Sequence, residues 1–388
     1  MRRVVVLASA IVFVDTLFFA MLTPLLPHYA RAFGLSKAGV GVLAAAYPAG
    51  VLVGGIPSGL LAVRVGVKTT AAVGLVIVAA TSVTFGFAGS IVLLDSARFL
   101  QGIGSACAWT AALSWLVAIV PRDRSGTLIG QTIAIAIVGA LFGPALGGIA
   151  SVLGTGGTFS AVAAVAVAVA ALALVTDGPP RGREQPFARL RAALNSRPLL
   201  TGLWLVMLPA LLFGTTIVLV PLRLSQLGVG AAAISGVFII AAALEATVSP
   251  LSGRLADRRG RRRALSISLA ASATGAALLP WPQEGALLAV VAVLASAAFG
   301  LFWAPAMALL ADTALRIDLH LAWAFALMNL AWAPGQALGS AAGGAIAKVT
   351  SDAVPYLLLC GACLATLAML RRSRPAGHAT ALPPRPQA

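Results

Sequence analysis

The chain has 388 residues, of which 60% are hydrophobic and only 10% are charged, and its mean hydropathy is +0.99. Apolar surface on this scale cannot be hidden inside a soluble core of this length, so the composition predicts a polytopic membrane protein. A formal net charge of +16 would suggest nucleic acid in a soluble chain, but most Lys and Arg fall in alternate loops between apolar runs, the positive-inside pattern.

Twelve apolar runs are long enough to cross a membrane, since a spanning helix needs about 20 mostly apolar residues. They cover residues 5–27, 38–62, 69–88, 91–119, 127–150, 157–176, 199–221, 231–255, 264–281, 286–310, 321–347 and 354–370. The sequence therefore predicts an all-α membrane protein with 12 transmembrane helices. The longest polar interruption follows the sixth run and divides the helices into two bundles of six.

We predict four segments along the chain. Residues 1–176 form an N-terminal six-helix bundle, 177–198 a basic cytoplasmic linker, 199–370 a C-terminal six-helix bundle, and 371–388 a disordered cytoplasmic tail. Residues 187–194 of the linker have the pattern of a short basic amphipathic helix on the membrane surface. Because the cations cluster in loops that share one side, both termini are expected in the cytoplasm, with the first run retained as a helix.

The chain contains an internal duplication. A basic turn at residues 253–263 repeats, more strongly, the pattern of residues 59–68, which begins 194 positions earlier. Residues 143–148 recur at 339–344 with an offset of 196. Both offsets are close to half of the chain length, so the two predicted bundles are pseudo-symmetric copies of one membrane unit, an arrangement typical of transporters.

Six plus six helices, a basic central loop and the two repeats resemble the major facilitator superfamily, and the resemblance extends over essentially the whole chain. The resemblance implies two six-helix bundles around a central cavity. That cavity would open first to one side of the membrane and then to the other.

The second-half turn matches the superfamily's loop signature at Gly253, Asp257, Gly260 and Arg261. Gly260 permits a tight turn, whereas Asp257 near a helix C-terminus needs a cation or another helix's N-terminus to offset the helix dipole. The resemblance implies a conformational latch; the alternative is a loop whose arginines only set the topology. In the first half Val63 stands in place of the acid, so no latch is predicted there.

The fifth run carries small residues at helical spacing. They are Gly139, Gly143, Pro144, Gly147 and Gly148. Glycines at these positions line one helix face and allow close backbone approach, while Pro144 removes a hydrogen-bond donor and bends the helix. The full pattern resembles the signature of proton-coupled antiporters in the drug-efflux branches, which favours export over uptake.

The fourth run contains Arg98, followed one helical turn later by Gln101. A charge inside a membrane costs roughly 3 kcal/mol or more and needs partners. Asp95 is close enough in sequence to be such a partner, or it marks the outer end of the helix. The pattern resembles a family motif that implies a role for Arg98 in proton coupling; the alternative is a structural arginine bonded to carbonyl groups.

Two acids stand inside apolar runs at similar depth. Asp15 lies 12 residues after Arg3 and Glu245 lies 12 residues before Asp257, so at about 1.5 Å per residue both are roughly 18 Å from the inner boundary, near mid-membrane. A carboxyl there can exchange a proton for a cationic substrate. The alternative for each acid is a buried carboxyl that stays neutral or pairs with Arg98.

The helix around Asp15 resembles the first helix of the vesicular amine transporter branch and of related bacterial drug exporters, in which an acid binds the substrate amine. The eleventh run resembles the same branch, but Asn329 stands where that branch carries its second essential acid. An amide forms hydrogen bonds but does not titrate, so monoamine exchange by that branch's mechanism is not implied.

Together these features predict a proton-coupled antiporter of the cell membrane that exports small amphipathic or cationic compounds by alternating access. The alternative is a proton symporter that imports a small metabolite. We expect a lipophilic small-molecule substrate, the proton as coupling ion, no other cofactor, no metal and no nucleic acid, and the resemblance implies a monomer in the lipid bilayer. The sequence has no P-loop and no metal-spaced histidine cluster, so an enzyme is not expected.

Overall fold

The computed structural model describes residues 2–119, 125–178, 196–316 and 321–372. The first half contains α1 (Arg2–Met21), α2 (Leu26–Ala32), α3 (Lys37–Val65), α4 (Val67–Gly86), α5 (Ile91–Ile119), α6 (Ser125–Leu153) and α7 (Thr155–Val175). The second half contains α8 (Arg197–Gln226), α9 (Ala231–Arg259), α10 (Arg261–Leu278), α11 (Gly285–Arg316), α12 (Leu321–Val349) and α13 (Ala353–Arg372). These ranges contain helices and no strand, so the predicted all-α fold is confirmed.

Nine helical segments in the described part of the chain are long and apolar enough to cross a membrane. The first of them joins α1 and α2 and is not one regular helix. A 3-10 turn at Thr23–Leu25 separates the two, because Pro24 and Pro27 lack the backbone N–H that a continuing helix requires. The span extends to Ala32, beyond its predicted end at residue 27. The predicted linker helix lies outside the described residues.

Connections between helices alternate between the two ends of the bundle, because successive spanning segments run in opposite directions. The α3–α4 and α9–α10 turns carry the basic repeats and share one end with Arg372, the last residue of α13. We term this the arginine-rich end. The α2–α3 and α12–α13 connections lie at the opposite end.

The duplication is visible in the packing of helices. In the first half α6 packs along α1 and α3 packs along α5; in the second half α12 packs along α8 and α9 packs along α11. The halves meet along two seams, α3 against α12 and α6 against α9. These seams are equivalent under the repeat, since α6 corresponds to α12 and α3 corresponds to α9.

Close contacts join the halves at the opposite end. Lys37, the first residue of α3, forms a 2.5 Å ion pair with Asp352, the residue before α13. In the same seam, a Cβ added to Gly344 of α12 would lie 3.2 Å from the carbonyl carbon of Lys37. In the other seam, a Cβ on Gly148 would lie 2.7 Å from the hydroxyl oxygen of Ser235. Glycines therefore allow the halves to approach closely.

Candidate functional site

Asp15 lies in the interior of the first half, with only 1% of its surface exposed. Its Oδ2 accepts three hydrogen bonds, from Tyr47 Oη at 3.0 Å, Ser105 Oγ at 2.8 Å and Trp109 Nε1 at 2.8 Å. The donors come from α3 and α5, so three helices meet at one carboxyl oxygen. Oδ1 is also buried and has no hydrogen-bond partner among the described residues.

The two oxygens of the Asp15 carboxyl therefore differ in what they can bind. Hydrogen bonds from neutral donors stabilise an ionised carboxylate without cancelling its charge. The unoccupied Oδ1 is the atom on which a proton can be held, since a protonated carboxyl gains one O–H donor. Of the three donors, the half-buried Trp109 has the most exposed side chain. The cluster can thus accept and release a proton while its geometry is held by neighbouring helices.

Arg98 of α5 is also 1% exposed and is held by neutral acceptors. Its two terminal nitrogens donate to the carbonyl oxygens of Phe18 and Phe19, each at 3.3 Å, and Nη1 also donates to Gln101 Oε1 at 2.5 Å. Gln101 in turn donates to Ser82 Oγ at 2.5 Å. The guanidinium is thereby fixed against α1, and Arg98 and Gln101 bond directly along one helix face.

Both carbonyls belong to the last turn of α1, which ends at Met21. The last four carbonyls of a helix have no partner within that helix. Pro24 in the turn that follows carries no N–H, so it leaves the carbonyl of Ala20, rather than those of Phe18 and Phe19, without its helical partner. The end of α1 supplies two of the acceptors that the buried guanidinium requires.

Tyr47 connects the acid to the arginine. No ion pair joins Asp15 and Arg98, whose side chains are both described; instead, the Tyr47 hydroxyl donates to Asp15 while its ring faces the Arg98 guanidinium, 4.9 Å from Cζ to the ring centroid. The Tyr47 ring also lies 5.0 Å from that of Phe19, which contacts Trp332 of α12 at 5.7 Å. An aromatic row thus leads from the Asp15 cluster to the second half.

Glu245 is the central residue of α9 and is half-buried. It lies against Gly300 of α11, where an added Cβ would be 3.1 Å from the carboxyl carbon of Glu245. The carboxyl has no hydrogen bond to any residue in the described ranges. Its surroundings therefore differ from those of Asp15, which is enclosed by three donors.

Two other polar side chains on the spanning helices complete the set of predicted candidates. Asn329 of α12 is half-buried, and Asp95 of α5 has a buried Oδ1 without a hydrogen-bond partner in the described part of the chain. Asp95 is not bonded to Arg98. The structure therefore does not support Asp95 as the partner of Arg98, and the interpretation that it marks the outer end of the helix remains.

The glycine pattern of α6 packs on α1. A Cβ on Gly139 would lie 2.6 Å from the carbonyl oxygen of Phe13, and a Cβ on Gly143 would lie 2.8 Å from that of Leu17. Gly147 faces the carbonyl of Met21 in the same way. Any larger residue on this face would push α6 away from the helix that carries Asp15, so this packing fixes the position of α1.

The second half repeats this contact between α12 and α8. A Cβ on Gly335 would be 2.6 Å from the carbonyl oxygen of Met207, and Gly339 faces the carbonyl of Leu211. A Cβ on Gly343 would be 2.9 Å from Thr215 Oγ1. Pro144 of α6 has no counterpart, because Ser340 takes its place and donates to the carbonyl of Gly214 at 3.1 Å. The glycine face is thus duplicated, whereas α12 has no proline at the position of Pro144 and carries Pro334 instead.

The two basic turns at the arginine-rich end have the same backbone conformation at their glycines. Gly260 and Gly66 have φ of 85° and 90°, a left-handed conformation that favours glycine, and each precedes a new helix. Gly253 lies in α9, and Asp257 lies in its last turn, where its side chain is outside the described part of the structure. Arg261 begins α10 and takes part in an interaction with its surroundings.

A basic residue two positions after each turn glycine connects helices within its own half. Arg262 donates to the carbonyl of Leu370 near the end of α13, and Lys68 donates to the carbonyl of Leu174 near the end of α7 at 3.2 Å. The first-half turn lacks the acid of the second-half turn. The contact between a cation and a helix-end carbonyl is nevertheless present in both halves, as expected for cations at helix C-termini.

Comparison with known families agrees with this architecture. A family model described as Major Facilitator Superfamily matches residues 8–248 and 210–387. The chain belongs to the major facilitator superfamily. Members of this superfamily are membrane transporters rather than enzymes, and the nine apolar helical segments in the described ranges agree with a multi-pass membrane protein.

Several relatives of this superfamily chain carry transporter names. It is 32% identical over 182 residues to the MFS-type transporter ppzB of Metarhizium rileyi, covering 42% of this chain and 36% of that protein. It is 31% identical over 125 residues to the multidrug resistance protein Stp of Mycobacterium tuberculosis, covering 32% and 23%. The human synaptic vesicular amine transporter is 33% identical over 92 residues, covering 24% and 18%. The matches thus span about a third or less of each relative.

A solved superfamily structure resembles the whole chain. The partially occluded, inward open xylose transporter XylE of E. coli covers 98% of this chain and 99% of its own, with a TM-score of 0.76 and 16% identity. At this identity the likeness shows the fold alone.

Within this superfamily chain, sequence reasoning named Asp15, Arg98 and Gln101 but did not assign the groups around them. Ser105 could have been found, because residues 98, 101 and 105 follow at three- and four-residue intervals and therefore share one face of α5. Ser82 gives no comparable signal. Its contact with Gln101 depends on how α4 packs against α5.

Proposed function

We propose that this chain is a proton-coupled antiporter that exports small lipophilic cations across the cell membrane, with both termini in the cytoplasm. The observation that carries the proposal is the Asp15 carboxyl, buried at the centre of the first span, with three donors on Oδ2 and none on Oδ1. Such a group alternates between a protonated and an ionised form, and only the ionised form attracts a cation.

Arg98 supports proton coupling rather than direct substrate binding. It is held by two carbonyls and Gln101 and contacts Asp15 only through Tyr47. A positive charge fixed in this way lies near the carboxyl without occupying the position where a cation would bind. The arginine is therefore placed to respond when the charge of Asp15 changes.

The choice of substrate class rests on the acids and on the relatives. Asp15 and Glu245 place one carboxyl in each half, which suits a ligand of positive charge, and the surrounding tyrosine and tryptophan rings suit an apolar body. A relative named multidrug resistance protein supports export. A relative named vesicular amine transporter supports an amine as the substrate. The glycine and proline pattern of α6, similar to that of drug antiporters, adds to the case for export.

In the proposed cycle, the halves rock about the central site. With the opposite end closed, as at the Lys37–Asp352 pair, substrate enters from the arginine-rich end while protons leave Asp15 and Glu245. After the seams open, protons return to the carboxyls and displace the substrate to the other side. The predicted latch at Asp257 would hold one of these two states.

A reconstituted system distinguishes antiport from symport. Protein in liposomes is given tetraphenylphosphonium as the probe, with a proton gradient at zero membrane potential. Antiport predicts that the probe accumulates in the compartment of higher proton concentration, because protons leaving that compartment drive the cation in. Accumulation in the compartment of lower proton concentration would identify a symporter, and accumulation independent of the gradient would exclude coupling.

A further inference from the structure

Gly300 is a close-packed glycine that faces an acidic side chain, whereas Gly148 and Gly343 face hydroxyl side chains. Gly139, Gly143 and Gly339 oppose the backbone of a neighbouring helix. The three atoms nearest to a Cβ at position 300 are instead Cβ, Cγ and Cδ of one side chain, that of Glu245. The glycine thus makes room for an acid rather than for a helix.

The α11 backbone beside Gly300 is held in place by two hydroxyl groups. The carbonyl of Leu301 accepts from Ser252 Oγ of α9 at 2.5 Å and from Ser268 Oγ of α10 at 3.0 Å. On the other side of Gly300, Phe299 is fully buried. Because this stretch of α11 is fixed on both sides, a side chain added at 300 would have to displace the Glu245 side chain.

No hydrogen bond from the described residues holds the Glu245 side chain. Its carboxyl makes no hydrogen bond within the described ranges and the residue is half-buried, so a rotamer change breaks no polar contact there. Packing rather than hydrogen bonding therefore positions this carboxyl, in contrast to Asp15, which three donors hold, and Gly300 is part of that packing.

We infer that Gly300 is a positioning residue that sets where the Glu245 carboxyl meets the substrate, and that the absence of a side chain at 300 keeps this acid available to a cation. The inference rests on the proposed function, because it assumes that Glu245 takes part in cation transport. It assigns the role of the glycine to Glu245 alone, rather than to general packing of α9 against α11.

The test is a double-mutant cycle in proteoliposomes with tetraphenylphosphonium as the probe. Gly300→Ala is expected to raise KM for the probe at least about fivefold, and Glu245→Gln to do so at least as strongly. In the double variant, Gly300→Ala should add less than about twofold to the effect of Glu245→Gln. Gly236→Ala is the matched control, because a Cβ on that α9 glycine meets nothing within 4 Å.

An unchanged KM in Gly300→Ala, or effects that multiply in the double variant, would overturn the inference while leaving the proposed function in place. An unchanged KM in Glu245→Gln would remove Glu245 from the proposed function and the inference with it. Export that depends on Asp15 alone would then remain, so the two failures can be told apart.

A second readout does not depend on transport. Dicyclohexylcarbodiimide modifies carboxyls in apolar surroundings, and mass spectrometry gives the rate at Glu245. Gly300→Ala should change that rate at least about threefold and Gly236→Ala should not. If Gly300→Ala fails to fold, adding Glu245→Ala should restore folding, because it removes the Cγ and Cδ atoms in conflict; failure of this rescue would contradict the inference.

Discussion

Replacing Asp15 with Asn is expected to abolish proton-driven transport of a lipophilic cation, lowering its rate roughly 100-fold, while the protein still folds. The amide has nearly the same shape, and its oxygen can still accept from Tyr47, Ser105 and Trp109, which now contact Oδ2. It can neither bind nor release a proton. The measurement is gradient-driven uptake of tetraphenylphosphonium into proteoliposomes, with melting temperature as a check of folding.

Tyr47→Phe is the matched comparison for this variant. It removes one donor from Asp15 but keeps the ring that faces Arg98 at 4.9 Å. We expect it to retain coupled transport at a reduced rate, because two donors and the titratable carboxyl remain. Gradient-driven uptake by Asp15→Asn at the wild-type rate would show that the proton is carried elsewhere.

Replacing Arg98 with Lys is expected to lower proton-driven transport at least about tenfold, although the charge is conserved. The guanidinium reaches two carbonyls and Gln101 from a planar fork, and a single ammonium nitrogen cannot keep that geometry. Binding of the probe should change by less than about threefold, since Arg98 does not contact the proposed ligand position. Equilibrium binding and uptake are measured on the same preparation.

Ser82→Ala serves as the control, because it removes the outermost group of the same hydrogen-bond chain without touching the guanidinium. The alternative that Arg98 is purely structural makes a different prediction. If Arg98→Lys lowered the melting temperature but left transport per folded molecule unchanged, the arginine would have no part in coupling.

The helices and their duplication could be predicted from the sequence because both depend on local signals. Apolar runs mark spans, and the repeated turns mark the two halves. The boundary of the first span was missed: the run was expected to end at residue 27, but α2 continues to Ala32 after the break at Thr23–Leu25. Two prolines in close succession do not show whether a spanning segment ends there or only bends, because packing against other helices decides between the two.

The partners of the site residues could not be predicted in the same way. Asp15 is bonded by residues 32, 90 and 94 positions away in the chain. Lys37 belongs to none of the motifs in the sequence, although it joins Asp352 across 315 positions. Such contacts follow from how whole helices pack, which a single sequence does not encode in any local pattern.

Of Glu245 and Gly300, only the acid could be recognised from the sequence. The acid was recognised because an ionisable residue in an apolar run is costly. The glycine was not, because a glycine in a spanning helix is common and gains meaning only from what it faces. Asn329, chosen by resemblance, is half-buried in α12, and its role stays a prediction.

The measurement that tests the central claim most directly is proton release from the purified protein in weakly buffered detergent when tetraphenylphosphonium is added. If cation and proton compete for Asp15, the wild-type protein releases protons on binding and the Asp15→Asn variant releases markedly fewer at the same occupancy. Binding of the cation without any proton release, or release that is unchanged in Asp15→Asn, would contradict the account.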